Sequence, residues 1–597
     1  MSRQPAHHRI VRTARGVTVG VAALGLALGL QQSGQAQQAP PTSAASPATA
    51  TAASLQPHYT DAVAHDTSPR LSTLTNANVP TTRSEGAQEE RADEVGSAPD
   101  NGFTGDPAVQ SSAPPVTIGS TRANFEGLSN QDNFNYYGGR VNPPDPVGDV
   151  SRKQYVEMTN LMVDVYDKAG HPQIPPTPIG ALWSGFAVDD CTDPSGDPVV
   201  LYDQIANRWI LTQFTTRGLS DPTLPFYNCV AVSTTSDATG SYNRYAFSSG
   251  VNFPDYPKYG VWTDTLTLTT REFGPTVEYG IGVYALEKRK MYNGQDARAV
   301  SYYIDGNDPT LLPLIGDGLL PADIDGTRKP AEGQAIPLLG TQDDDMAADY
   351  GATSDAVNIW DLKVKWRSTP QSSLRFAAQL PTAPFDTNFP CAPDSRDCLP
   401  QPGITNPAQY LDTLASRQRA TWRLAYRKLG PGLESLVTSQ TVEARPGVAG
   451  VRWYEIRRTP GSNYSIHQQG TYAPDDGVNR WMGSIAQDKF GNLALGYSVV
   501  NGTDVYPGIR YTGRQAGDPP GEMTLGEGTI IDGSGVQTTT NSRWGDYTSM
   551  NVDPSDDCTM WYVNEYYTAA GQASSLAGWQ TRIASFRLPG CGDRHHH

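Results

Sequence analysis

The sequence predicts an all-β fold made by radial repetition, a seven-bladed β-propeller, and three observations carry that prediction. Clusters of short alternating strands, about four to a cluster, recur along the chain with turn residues between them. Glycine (58) and proline (47) are plentiful, so turns are many and long helices are not expected. Three clusters share one signature, an apolar-x-Asp step and a turn before an aromatic-rich strand, at Tyr202-Asp203, Gln487-Asp488 and Val552-Asp553. In such a turn the Asp side chain accepts backbone N–H bonds, so these three are read as structural. Radial repetition closes the sheet array and leaves no open edge.

At the start of the chain, Arg3, Arg9, Arg12 and Arg15 precede an apolar run from Val17 to Leu30, with small residues at Gly34 and Ala36. That is the pattern of an export signal over residues 1–36, with cleavage after Ala36. The apolar run is shorter than a membrane helix needs, so no span is expected in the mature chain. Residues 37–115, rich in Ala, Pro, Ser, Thr and Gln, are expected to form a disordered linker. Such a stretch buries too little apolar surface to offset its ordering entropy. The propeller is assigned to 116–591 and a short tail to 592–597.

The blades follow in order. The first begins at Pro144-Asp145-Pro146-Val147-Gly148-Asp149-Val150 and continues through Tyr155–Asn160 and Met162–Gly170. The second opens at Gly196-Asp197-Pro198 and runs through Trp209–Phe214, Asn228–Ser233 and Tyr242–Phe247. The third starts at Asp255-Tyr256-Pro257-Lys258 and reaches Leu286; the fourth spans Asp343 to Ala378. Residues 305–332 and 381–406 read as long loops. The fifth covers Thr421–Gln468, the sixth Arg480–Thr512, and the seventh Arg543–Phe586. A strand from Val116–Phe125 is expected to join the last blade and close the ring.

The formal charge of −17 argues against nucleic acid and anionic membranes as partners, while acidic groups could hold Ca²⁺. Export permits disulfides, and the blade layout suggests that Cys191, Cys229, Cys391, Cys398, Cys558 and Cys591 pair in order. Asp189, Asp190 and Asp193 form one candidate cation loop, and Asp343-Asp344-Asp345 a second carboxylate run; neither has EF-hand spacing.

The runs RWMGSIAQDKFGNLALGYS, GIRYTGR, RWGDYTSMNVDPSDDCTMWYVNEYY and PPDPVGDV resemble a family of secreted bacterial β-propellers, mostly of unassigned function. More distantly, Ser484–Ser498 is similar to the Asp-box turns of sialidases, although the full Ser-x-Asp-x-Gly-x-Thr-Trp box is absent. The resemblance implies an exported propeller, not a reaction.

In a propeller the heads of the innermost strands surround one mouth of the axis, and here those heads are polar. Asp197, Asp255, Asp344 and Asp546 are candidate glycosidase carboxylates, since hydrolysis needs one protonated and one ionised partner. Tyr547 or Lys258 could serve a lyase as base, with Arg480 and Arg543 neutralising a uronate. Trp481, Trp544 and Arg510 complete the proposed sugar-binding set. The expected partner is thus an extracellular polysaccharide, bound and cleaved, or, for a non-catalytic adhesion module, a glycan or cell-surface protein; a monomer is expected. Alternatively, the heads bond to one another and cement the blades. A redox centre is disfavoured, because no suitable His or Cys cluster occurs in the sequence.

Overall fold

The computed structural model describes residues 55–591, apart from 78, 81–104, 276, 347–349, 389–390, 392–395, 460 and 540. The expected export signal, the tail, and linker residues 37–54 and 81–104 lie outside the described residues. What is described is mostly strand, arranged in sheets of largely antiparallel neighbours, as a β-propeller requires.

The first strand of each sheet lies against the first strand of the next. Val147–Val150 meets Val200–Asp203, which meets Phe253–Val261, followed by Leu320–Asp325, Thr421–Gly430, Asn479–Gln487 and Ser549–Val552. Ser549–Val552 in turn contacts Val147–Val150, so the sequence of inner strands is cyclic. Leu320–Asp325 and Thr421–Gly430 even hydrogen-bond in parallel, Ala322 opposite Leu424, which fuses two sets of strands into one sheet of nine.

Burial explains why these segments are strands. The inner ones are covered on both faces, so Val147–Val150, Val200–Asp203 and Ser549–Val552 are buried throughout. The outer strand Gln371–Pro381 instead alternates between half-buried or buried and exposed positions, the pattern of a half-solvated edge. Aromatic rings fill the space between sheets: Trp262 meets Tyr426 at 4.8 Å, and Trp561 of the last sheet stacks on Tyr155 of the first at 5.2 Å.

The linker expectation fails for its described part. His58–Asp61 pairs with Arg298–Asp305, Ala64–Thr67 with Tyr242–Gly250, and Val109–Gln110 with Ser465–Tyr472. Val116–Thr117 adds to Leu525–Ile531, and Ala123–Ser129 to Trp579–Arg587 with Phe125 opposite Ile583. The described parts of this segment therefore lie along the outer edges of several sheets. Composition misleads because His58–Asp61 is exposed along its length; its ordering comes from backbone groups paired with strand edges, not from a core of its own. The last-blade strand expected over 116–125 is realised a few residues later, at Ala123–Ser129.

A second correction concerns residues 305–332, read as a loop. They hold the helix Leu312–Ile315 and the inner strand Leu320–Asp325. Pro321 and the flanking Gly316 and Gly318 suggest a breaker, whereas Pro321 pairs with Leu338 at the start of that strand. Among the described residues between Pro381 and Asn406, the one strand is the short Asp397–Leu399.

The cysteines pair as Cys191–Cys229, Cys391–Cys398 and Cys558–Cys591, with none left free, which fits an oxidising compartment. Among the described residues no helix is long and apolar enough to cross a membrane.

Candidate axial site

The heads of the inner strands share a backbone device. Asp145, Asp197 and Tyr256 each precede a proline and each has positive φ, at 48°, 42° and 52°. Met482, at 48°, occupies the comparable place in its strand. A residue before proline ordinarily takes extended backbone, and non-glycine residues seldom enter the left-handed region. Bulges accompany the device at Asp255/Lys258 and Trp481/Ser484. Each bulge re-aims the following side chains. The repeated words Asp145-Pro146, Asp197-Pro198 and Tyr256-Pro257 are the sequence signal for this geometry.

The side chains so directed bond to one another. Asp145 Oδ1 accepts the Asp546 N–H at 2.7 Å, and its Oδ2 accepts the Asn160 amide at 2.7 Å. Asn160 Oδ1 in turn accepts the Asp197 N–H at 3.0 Å. Tyr547 directs its hydroxyl to Asp197 at 3.3 Å and to the Pro257 carbonyl at 3.1 Å. Arg543 donates to Asp546 at 2.8 Å and lies 3.4 Å from Asp412. Lys258 Nζ is held between two rings, 3.2 Å from the centroid of Tyr256 and 3.1 Å from that of Tyr547. These are cation–π contacts in a desolvated setting.

All of these residues are buried: Asp145 and Asp546 are 1 % exposed, Lys258 2 %, and Asp197 and Arg543 5 %. Burial pulls the Lys258 ammonium well below the usual lysine range, against the opposing pull of Asp197 and Asp546. Burial, with Asp197 adding to it, pushes the Tyr547 phenol well up. The gap beside Lys258, lined by Tyr256, Arg271 and Arg419, has room for about one water molecule.

Below the heads lies a second ionic layer. Arg423 reaches Asp323 at 2.9 Å and Asp325 at 2.5 and 3.1 Å, and donates to the Met550 carbonyl at 3.1 Å. One guanidinium thus ties together three inner strands. Asp149, from a fourth, accepts the Tyr202 N–H at 2.6 Å, and burial raises it to about 8 although Arg423 pulls the other way. The three turn carboxylates lie at the far ends of their strands. Asp203 accepts the N–H groups of Ile205 and Ala206, Asp488 those of Phe490 and Asn492, and Asp553 that of Ser555.

Among the expected site residues, Asp197, Lys258, Arg543, Asp546 and Tyr547 come together at the head cluster. Asp255 is buried beside it, opposite Arg271 across the strand pair. Asp344 does not join them. It is exposed on the short turn Asp344–Met346 after the second strand of its sheet. Arg480 and Arg510 share Glu527, at 2.8 and 3.1 Å, within their own sheet. Trp481 and Trp544 are packed ring to ring at 5.1 Å and are 0 % and 1 % exposed, so they present no face to a sugar. Asp189, Asp190 and Asp193 converge on Arg217, at 3.1, 3.5 and 2.7 Å, and the guanidinium supplies the charge a cation would have brought.

Sequence reasoning missed Arg423, Asp323, Asp325, Asn160, and the pair of arginines on Asp317, Arg271 at 2.8 Å and Arg419 at 2.5 Å. Asp317, Asp323 and Asp325 all fall in the stretch read as a loop. Alternation in Leu320-Pro321-Ala322-Asp323-Ile324-Asp325 before Gly326 could have revealed the last two.

No family model matches the sequence, and no curated protein matches it. Among solved structures, an endo-arabinase from Bacteroides thetaiotaomicron aligns at 14% identity over 52% of this chain and 92% of its own, with a TM-score of 0.24. An α-L-arabinanase from Penicillium chrysogenum aligns at 11% identity over 66% and 94%, with a TM-score of 0.31. A sialidase from Trypanosoma rangeli aligns at 10% identity over 65% and 54%, with a TM-score of 0.28. At such identities and scores no chemistry passes from those proteins to this one.

Proposed function

We propose that residues 116–591 are a seven-bladed propeller of an exported protein that acts by binding an extracellular polysaccharide or a cell-surface protein, without catalysis. The observation that supports this reading is the mutual bonding of the inner-strand heads. Asp145, Asp197, Asp546, Arg543, Lys258 and Tyr547 are each at most 5 % exposed. Five of the six hydrogen-bond within the cluster or to Asn160 and Pro257, Arg543 also lies in an ion pair with Asp412, and Lys258 is clamped by the rings of Tyr256 and Tyr547. A glycosidase needs its acid and its base or nucleophile on either side of a bound sugar ring. The gap beside Lys258 has room for about one water molecule, and neither Asp197 nor Asp546 lines it. On this reading the axial charges lock blades together, and partners engage loops at the rim.

The test is to incubate the full chain with a panel of neutral and uronate-bearing polysaccharides, measuring retention, reducing ends and unsaturated uronates together. Retention without product is expected. Product from any member, lost in Asp546→Asn while the near-ultraviolet circular dichroism stays unchanged, would overturn the proposal.

A further inference from the structure

Three cationic side chains line the small gap beside the head cluster, where inner strands of successive sets meet. Lys258 lies on Phe253–Val261, Arg271 on Leu266–Gly274, and Arg419 just ahead of Thr421–Gly430. No carboxylate is among the residues that line it. The two guanidiniums share Asp317, at 2.8 and 2.5 Å. Arg419 and Lys258 both meet the ring of Tyr256, at 4.5 and 3.2 Å from its centroid. Lys258 is 2 % exposed, and its ammonium has no hydrogen-bond acceptor among the described residues. The nearby carboxylates take their hydrogen bonds from other donors: Asp546 from Arg543 at 2.8 Å, Asp197 from the Tyr547 hydroxyl at 3.3 Å, and Asp145 from Asn160 at 2.7 Å. Burial draws the Lys258 ammonium towards its neutral form and Arg419 adds to that, while Asp197, Asp546 and Asp145 pull the other way.

We propose that this gap binds a single monovalent anion of chloride size, met by the Lys258 ammonium and flanked by the guanidiniums of Arg271 and Arg419. An ammonium carries three N–H donors and no acceptor. The faces of Tyr256 and Tyr547 attract its charge, but buried donors left without an acceptor are costly. Room for about one water molecule admits chloride or bromide and excludes sulfate, phosphate and carboxylates. A water would take one of the ammonium hydrogens but bring no charge, whereas an anion also opposes the pull of burial towards the neutral amine. Binding would tie the strand Phe253–Val261 to the chain entering Thr421–Gly430. Such a site is independent of any polysaccharide bound at the rim, since no sugar ring enters so small a gap.

The full chain is exchanged into sodium gluconate, whose anion is too large for the gap, and sodium chloride or bromide then replaces it at constant ionic strength while thermal unfolding is followed. A saturable rise in melting temperature of about 1–2 °C is expected once chloride exceeds its dissociation constant about tenfold. In crystals grown with bromide, one anomalous peak should lie beside Lys258 Nζ. Lys258→Met should remove both signals, whereas Lys168→Met, at the Asp553 pair, should leave both unchanged. If Lys258→Met fails to fold, the bromide peak in the parent decides. No peak in the gap, peaks confined to the surface (an adventitious ion only), or a melting response undiminished in Lys258→Met would overturn the proposal.

Discussion

Asp323 and Asp325 on the axis and Asp343 and Asp386, in an acidic lobe beyond the end of the strand Ile336–Gln342, are the same residue type, all buried, yet they are met by different partners. On the axis a single guanidinium, Arg423, faces both carboxylates at 2.5–3.1 Å. In the lobe the donors are backbone N–H groups and a threonine hydroxyl, and Asp386 keeps one oxygen without any among the described residues. Burial raises Asp343 to about 6 and Asp386 to about 8. A carboxylate's burial therefore says little about its role. What it faces, a guanidinium on the axis and backbone N–H groups in the lobe, is what differs.

The axial side of that comparison breaks most readily at Arg423. Arg423→Met leaves Asp323 and Asp325 buried without their cation and also frees the Met550 carbonyl. Losing one partner of a buried ion pair costs about 3–5 kcal/mol, and the urea midpoint should fall accordingly. A midpoint within error of the parent would mean that the axial ions do not hold the sheets together. Replacing all three groups by apolar residues is the sharper version, since apolar exchange of a whole buried cluster is often neutral.

How much of this was legible beforehand follows from what each signal reports. Turn carboxylates such as Asp488 were readable, because an Asp accepting N–H groups two and four residues on is a local event. The pairing order of the cysteines was readable for the same reason of proximity. The meeting of Asp145 with Asp546, 401 residues apart, required the ring to close first. Its polarity was visible in the sequence, but its burial was not, and burial turned expected sugar-stacking rings such as Trp544 into packing. The edge strands His58–Asp61 and Ala64–Thr67 carry no core signature at all, since their bonds are made by backbone.

A carboxyl met by a hydroxyl and an N–H group in the first blade supplies another case. Glu157 is fully buried and accepts the Leu128 N–H at 2.8 Å. Burial raises it to about 8, with the Thr581 hydroxyl and that N–H pulling the other way and Asp164 and Asp132 adding to the rise. Its folded value exceeds the unfolded one of about 4.3. The stability it confers is therefore complete below about pH 4 and is lost as pH rises through about 8. The parent should lose stability between pH 5 and pH 8, and Glu157→Gln should lack about 3–4 kcal/mol of that loss in denaturant unfolding. Asp149, also raised to about 8, leaves a residual slope in the variant. A slope identical to the parent's would show that Glu157 is ionised in the fold.

The smallest effect belongs to the rim, where Asp189, Asp190 and Asp193 meet Arg217. Here the carboxylates do face a guanidinium, as on the axis, but the side chain of Arg217 is 35% exposed and that of Asp189 82%. Water solvates Asp189, so its pairing is worth about 0–1 kcal/mol and weakens with salt, whereas Asp190 in the same cluster is buried. Asp189→Asn should shift the urea midpoint by no more than that, and by less still in about 1 M NaCl, where charges are screened within a few ångströms. A loss comparable to Arg423→Met would mean that partner identity alone governs the outcome. A small loss that salt erases would show that partner and burial act together, with the guanidinium deciding the chemistry and the exclusion of water deciding its size.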